Sequence, residues 1–202
     1  MQIILRTSKS TDEHDIAKII MACHWKMPVA DHELLALRWI RQFLITEPQN
    51  GYVLEHTASS KAVGYITCAS DTIAYENEFE NTYLPKLKVR YEELEKQSFA
   101  YLEENRKLLF FRRNQDIGFD ATEYPAHLHI NILPEYQRSG YGRLLLSAYE
   151  ENLRSRGVRG YHLGTGANNL KGISFYTKHG LELLHTVYKD GQPVTSILGK
   201  RL

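Results

Sequence analysis

A chain of 202 residues with 43% apolar content and a net charge of +1 has enough hydrophobic side chains for one sizeable core and too little charge imbalance to coat nucleic acid. Nowhere do about 18 apolar residues run together, and the opening Met1-Gln2-Ile3-Ile4-Leu5-Arg6 is too short for a signal-peptide apolar region, so the expectation is a soluble, cytoplasmic protein forming a single domain over 1–202, with no membrane partner. The two cysteines, Cys23 and Cys68, lack CxxC spacing, which argues against a disulfide framework or a metal site.

In chain order, Gln2 to Thr7 reads as a short strand, and Thr11 to Asp15 offers caps for a helix carrying Ile16, Ile19, Ile20 and Cys23 and ending near Met27-Pro28. A second helical pattern runs from Leu34 through Trp39 and Ile40 to Glu47-Pro48, where the proline disfavours continuation. Trp25 and Trp39 read as core residues. Gly51 to His56 and Ala62 to Cys68 are strand-like, joined by a hairpin turn at Ala58 to Lys61.

From about Asp71 to Tyr124 the composition turns charged and aromatic. A structureless loop of that length is improbable, so the segment reads as an inserted, peripheral helical element over the sheet, its aromatics either anchoring it or lining a groove. Glu76 to Glu104 holds eight Glu against four Lys/Arg, whereas Tyr136 to Gly180 holds seven Lys/Arg against two Glu, a pairing that suits an anionic ligand and a cationic partner.

Ala126 to Leu133 alternates His127, His129 and Asn131 with Leu128, Ile130 and Ile132, the period of a strand with unequal faces, and Pro134 ends it. After the glycines Gly140 and Gly142 comes a helix with an apolar stripe at Leu145, Leu146, Tyr149 and Leu153, with Glu150, Glu151, Arg154 and Arg156 falling elsewhere and Gly157 capping. Gly160 to Gly166 is a further strand, Asn168-Asn169 open a helix to about His179 with Gly180 as cap, and Leu181 to Tyr188 and Thr195 to Leu202 close as a hairpin around Lys189 to Gln192.

The stretch His127 to Gly142 therefore reads as strand, proline stop and glycine turn into a helix, whose first amides lack intrahelical partners and suit a polyphosphate. A dinucleotide fold would want a third glycine where Leu145 stands, and no Gly-Lys-Ser/Thr follows the turn, so nicotinamide, flavin and Walker-type readings fit poorly.

These residues resemble the GNAT acetyltransferase superfamily. Gln137-Arg138-Ser139-Gly140-Tyr141-Gly142 matches its Gln/Arg-x-x-Gly-x-Gly/Ala signature. Asn169 through Phe175-Tyr176 to Gly180-Leu181 is similar to its downstream Asn-x-x-Ala-x-x-Phe-Tyr-x-x-x-Gly-Phe signature, with Gly172 and Leu181 as departures. Tyr124 to Pro134, Tyr161 to Asn169, Leu84 to Tyr91 and Ile197 to Leu202 also look like the acetyltransferase-like C-terminal domain of O-GlcNAcase and its free-standing microbial relatives, a resemblance that carries no glycosidase activity.

The resemblance implies an α/β fold with a mixed, mostly antiparallel sheet, helices on both faces, a splayed parallel strand pair in the middle and the helical insertion at about 71–124. It implies acetyl-CoA as cofactor and transfer of acetyl to a primary amine, on a small molecule or a peptide, by direct attack. The alternative it leaves open is a non-catalytic module that binds acetyl-CoA or a peptide. Amides from Gln137 through Arg143, with Arg138, Ser139, Gly140, Tyr141 and Gly142 between them, would hold the CoA pyrophosphate; Ile130 and Ile132 would line the thioester, Ile132's amide polarising its carbonyl; Asn169 would bond the pantetheine side. Tyr176 stands at the family's acid position, protonated at neutral pH with an ordinary pKa of about 10. For the base, His129 is a candidate beside a water chain or an acidic residue.

Overall fold

The computed structural model describes residues 2–24, 31–97 and 119–202. Seven strands, β1 (Ile3–Thr7), β2 (Tyr52–His56), β3 (Lys61–Ala69), β4 (Ala126–Ile132), β5 (Gly160–Gly166), β6 (Glu182–Lys189) and β7 (Gln192–Arg201), form one sheet in the order β1-β2-β3-β4-β5-β7-β6. Every neighbouring pair is antiparallel except β4 and β5. That parallel pair is joined only at Ala126–Tyr161 and His127–His162, after which the strands part. The expected mixed sheet with a splayed centre is what forms.

Helices α1 (Glu13–His24), α2 (His32–Trp39) and α3 (Arg41–Thr46) cover one face, where Ile16, Ile19, Ile20, Leu34, Leu35 and Tyr65 are buried together. On the other face α6 (Tyr141–Ser155) and α7 (Leu170–Lys178) pack against Leu128, Ile130, Ile132 and Leu163. The alternation read from β4 thus divides between two cores, with its histidines facing α1 to α3.

Three expectations are corrected. The helix expected from Leu34 to Glu47 breaks at Ile40, whose φ of −131° leaves the helical region. The break lets Ile40, Phe43 and Leu44 all reach the core, while Gln42, also buried, donates from Nε2 to Tyr75 O at 2.7 Å. The insertion is helical, as α4 (Thr72–Glu78), a π-helical turn at Phe79–Tyr83 and α5 (Leu84–Lys96), but it is no peripheral cover: Leu87 and Leu94 are buried in the α1–α2 core and Arg90 pairs with Asp31, the N-cap of α2, at 2.6 Å. Pro85, at the start of α5, has no N–H to continue the ladder, and the wider turn precedes it.

Glu150 is the third correction. It lies with the buried stripe of α6, because Lys200 Nζ reaches both its oxygens at 2.8 and 2.9 Å and Tyr161 O–H donates to it at 2.7 Å. Sequence periodicity cannot see a partner fifty residues away. The expected helix end at Met27-Pro28, the placement of Trp25 and the insertion over 98–118 lie outside the described residues.

Candidate functional site

The turn ahead of α6 is built from backbone. Pro134–Tyr136 form a short 3-10 turn capped by Leu133, then Arg138 and Gly140 both adopt positive φ, 61° and 82°. Gly140 is the N-cap of the fifteen-residue α6 with no side chain capping it, and Leu144 N–H is the first to reach a carbonyl, that of Gly140 at 3.1 Å. The amides of Tyr141, Gly142 and Arg143 are therefore left without intrahelical acceptors and share one end with the helix dipole. Positive-φ residues alternating with helical ones make concave amide nests of the kind that hold anions.

Around this nest Arg138, Ser139 and Arg143 are exposed, and Ser139 Oγ donates to Gln137 O at 3.3 Å. Gly140 has open space where a Cβ would be, whereas a Cβ on Gly142 would meet the Phe175 ring at 3.0 Å. Gly142 thus serves helix packing against α7 as well as any ligand. Tyr141 is partly buried against the second core. Gln137, expected to offer its amide to a phosphate, commits that N–H to Pro134 O and donates from its side-chain Nε2 to Ile132 O at 2.8 Å, tying the turn to the end of β4.

The gap beside β4 follows from register. Leu133 N–H donates to Val63 O at 2.9 Å, so alternation turns the amides of Ile130 and Ile132 away from β3, towards the side where β5 has diverged. Ladder donors lining a gap are suited to an extended polar chain laid between the strands. Asn169, expected to face such a chain, uses its side chain otherwise: Oδ1 accepts from Gly172 N at 3.1 Å as the N-cap of α7, and Nδ2 donates to Thr165 Oγ1 at 3.0 Å.

Tyr176, on α7, lies against the second core and burial pushes its phenol up to about 12. It therefore stays protonated across the physiological range. His129 projects from the opposite face of the sheet, its ring stacked on Trp39 with centroids 5.6 Å apart and 15° between planes. Its Nδ1 lies 2.7 Å from the hydroxyl of Tyr65, to which Asn131 Nδ2 donates at 3.0 Å.

Tyr65 is fully buried, which raises its pKa well above the usual range, and it lies within electrostatic reach of both Tyr176 and Cys23. Cys23, at the end of α1, donates to Ile132 O at 3.3 Å; burial, then the charge of Glu135, pushes its thiol pKa up, so it is no ready nucleophile.

Sequence reasoning missed Tyr65 and Cys23 as site residues and read Trp39 only as core. Tyr65 was legible as a strand residue, and the alternation Tyr65, Thr67 against His129, Asn131 could have paired them had the strand order been known. Among the described residues no group of three or more His, Cys, Asp or Glu is placed to hold a metal ion.

The Acetyltransferase (GNAT) family matches residues 16–181 of the chain. Among solved structures, SsHAT is similar at 25% identity over 100% of this chain and 98% of its own, with a TM-score of 0.75. The PaiA N-acetyltransferase of Thermoplasma acidophilum, in complex with coenzyme A, shares the fold at 17% identity and TM-score 0.52 over 100% of both chains. So does an acetyltransferase of GNAT family from Streptococcus pneumoniae, at 13% identity and TM-score 0.57 over 100% of both.

Proposed function

The chain belongs to the GNAT acetyltransferase family, and from that premise we propose that it binds acetyl-CoA and moves the acetyl group to a primary amine, of a small molecule or a peptide, by direct attack, with residues 1–202 working as one domain. The observation that carries this reading is the conjunction of an open amide nest at the head of α6 with a strand pair that parts after two paired positions. The motifs at Tyr124–Pro134, Tyr161–Asn169 and Leu84–Tyr91 further support kinship with the acetyltransferase-like C-terminal domain of O-GlcNAcase.

When bound, acetyl-CoA supplies a thioester whose acetyl carbon is open to a neutral amine. The residues fit it. Amides of Tyr141, Gly142 and Arg143, with the charges of Arg138 and Arg143, take the pyrophosphate. The amides of Ile130 and Ile132 face the gap, where Ile130 lines the cofactor and the Ile132 amide is the fixed donor to the thioester oxygen, in a setting where preorganised dipoles cost no reorganisation. Asn169 keeps the first turn of α7 in place, which sets Tyr176. The Tyr176 phenol holds the proton that the departing sulfur takes up. His129 stands at the acceptor side, held at Nδ1 by Tyr65 and braced by Trp39.

Calorimetry with acetyl-CoA, followed by thiol-release assays over polyamines, aminosugars, lysine peptides and small amines, tests this. Binding with turnover on at least one amine is expected. No binding at millimolar cofactor sinks the cofactor assignment; binding without thiol release on any amine, together with no effect of Tyr176→Phe, would establish a non-catalytic module instead.

A further inference from the structure

We propose that Gln137 is a positioning residue for acetyl transfer: its side chain caps the carbonyl of Ile132, so that the end of β4 meets the thioester with a donor and no bare acceptor, and it holds that donor at a fixed place relative to the amide nest. The proposal rests on the acetyl-transfer reading above.

In an extended strand the N–H and the C=O of one residue point to the same side. Leu133 N–H turns towards β3 and donates to Val63 O at 2.9 Å, so both backbone groups of Ile132 point into the gap left by β5, which pairs with β4 only at Ala126 and His127. The N–H is the donor the reaction needs there. The carbonyl beside it works against the reaction, because its partial negative charge faces the place where negative charge gathers on the thioester oxygen during attack.

Two side chains answer that carbonyl. Gln137 Nε2 lies 2.8 Å from Ile132 O and Cys23 Sγ lies 3.3 Å from it, and a carbonyl only accepts, so both donate and together they engage its two lone pairs. Burial, then the charge of Glu135, keeps the Cys23 thiol protonated and able to donate, but a thiol is a weak donor. Gln137 therefore supplies most of the cap. The peptide joining Ile132 to Leu133 is held from three sides, by β3, by α1 and by the turn.

The same residue anchors the nest. Gln137 N–H donates to Pro134 O at 3.2 Å, its carbonyl accepts from Ser139 Oγ at 3.3 Å, and the next residue, Arg138, is the first of the two with positive φ that lead into α6. The bond from Nε2 back to Ile132 closes the short loop between strand and nest, so neither end shifts without the other. The nest itself needs none of this side chain, being made by the φ values of Arg138 and Gly140 and the head of α6. Losing the side chain should therefore spare the hold on the pyrophosphate and disturb the thioester end.

Gln137→Met keeps the length and removes the donor, and Gln137→Lys restores one; the residue is exposed, so both proteins should melt near the wild type. The first readout needs no cofactor. Capping Ile132 O polarises the peptide that carries Leu133 N–H and strengthens its bond to Val63, so hydrogen exchange at Leu133 should quicken about threefold or more in the Met variant while the β5–β7 ladder is unchanged. Unchanged exchange at Leu133 overturns the cap. By calorimetry CoA, which has the pyrophosphate and no thioester, should bind the Met variant within about twofold of wild type, whereas acetyl-CoA should weaken about threefold or more relative to CoA. In turnover kcat should fall roughly 3- to 10-fold, the worth of one neutral hydrogen bond, and return to within about twofold in the Lys variant. Equal losses for CoA and acetyl-CoA would identify a phosphate contact and overturn the positioning role, as would a Lys variant no faster than the Met variant. A wild-type protein that binds no acetyl-CoA overturns the function proposed above together with this inference; wild-type turnover with an indifferent Met variant overturns this inference alone.

Discussion

His162 anchors the closed end of the strand pair that opens beside the site, and its titration gives a measurable quantity. It is 1% exposed, pairs across to His127, and its Nδ1 lies 2.7 Å from the carbonyl of Tyr124. A carbonyl only accepts, so Nδ1 carries the hydrogen. Burial lowers its pKa from 6.5 to about 4, against smaller opposing effects of the backbone carbonyls. In the unfolded chain the ring gains a proton near pH 6.5, whereas in the folded chain it resists until about pH 4, so the unfolded state binds more protons in that window and stability falls as pH drops through it. At about 1.4 kcal/mol per pKa unit, the separation amounts to about 3 kcal/mol, fully present above pH 6.5 and lost by pH 4.

The substitution His162→Asn places an amide donor where Nδ1–H stands and removes the titration. At pH 8, where the ring is neutral in both states, it should cost roughly 1–2 kcal/mol for the lost ring contacts, and that cost should shrink and change sign as the pH falls. Urea unfolding of both proteins at half-unit steps from pH 8 to pH 4 measures the difference. The wild-type curve should fall by about 3 kcal/mol relative to the mutant's, or about 6–12 °C in Tm for a chain of this size, so that it starts above the mutant's at pH 8 and crosses below it before pH 4. Parallel curves would refute the argument, because they would mean that His162 has the same pKa in the folded and the unfolded state.

Three further outcomes are expected. Tyr176→Phe should lower kcat about 100-fold or more while leaving acetyl-CoA affinity within about twofold, read by single-turnover kinetics and calorimetry, because the phenol acts on the sulfur and not on the pyrophosphate. The double substitution Arg138→Glu with Arg143→Glu should weaken acetyl-CoA binding by about tenfold or more at low salt, with the difference shrinking as ionic strength rises and the Tm little changed, since both side chains are exposed. Lys200→Met should cost roughly 2–3 kcal/mol by denaturant unfolding, because it strands the buried Glu150 carboxylate with Tyr161 and the longer contact to Arg154 at 3.3 Å; Arg201→Met, whose partner Glu123 is equally exposed, should leave the unfolding midpoint nearly unchanged.

Much of the site was legible because its chemistry lies in backbone geometry that local sequence dictates. Pro134 and the glycines announce the turn, the period of two announces β4, and Asn169 with Gly180 brackets α7. Glu150, the break at Ile40 and the docking of α5 on α2 were not legible, since each depends on a partner distant in sequence: Lys200, the buried run from Ile40 to Leu44, and Asp31 with Arg90. Asn169 shows the opposite case. Its position in the motif was readable, but its side chain is spent on the helix cap and on Thr165.

By itself, then, the sequence determined the strand–turn–helix that forms the nest and the placement of Tyr176 on the following helix, because hydrogen-bond satisfaction and backbone conformation are local constraints. Only the tertiary structure decided what His129 touches. The histidine's spacing promises a titratable ring on one face of a strand, but its neighbours Tyr65 and Trp39 come from elsewhere in the chain, and the contact with Tyr65 exists only because β3 and β4, more than sixty residues apart, pair in the register that sets Tyr65 against Asn131. A one-residue slip would have turned those side chains to the opposite face.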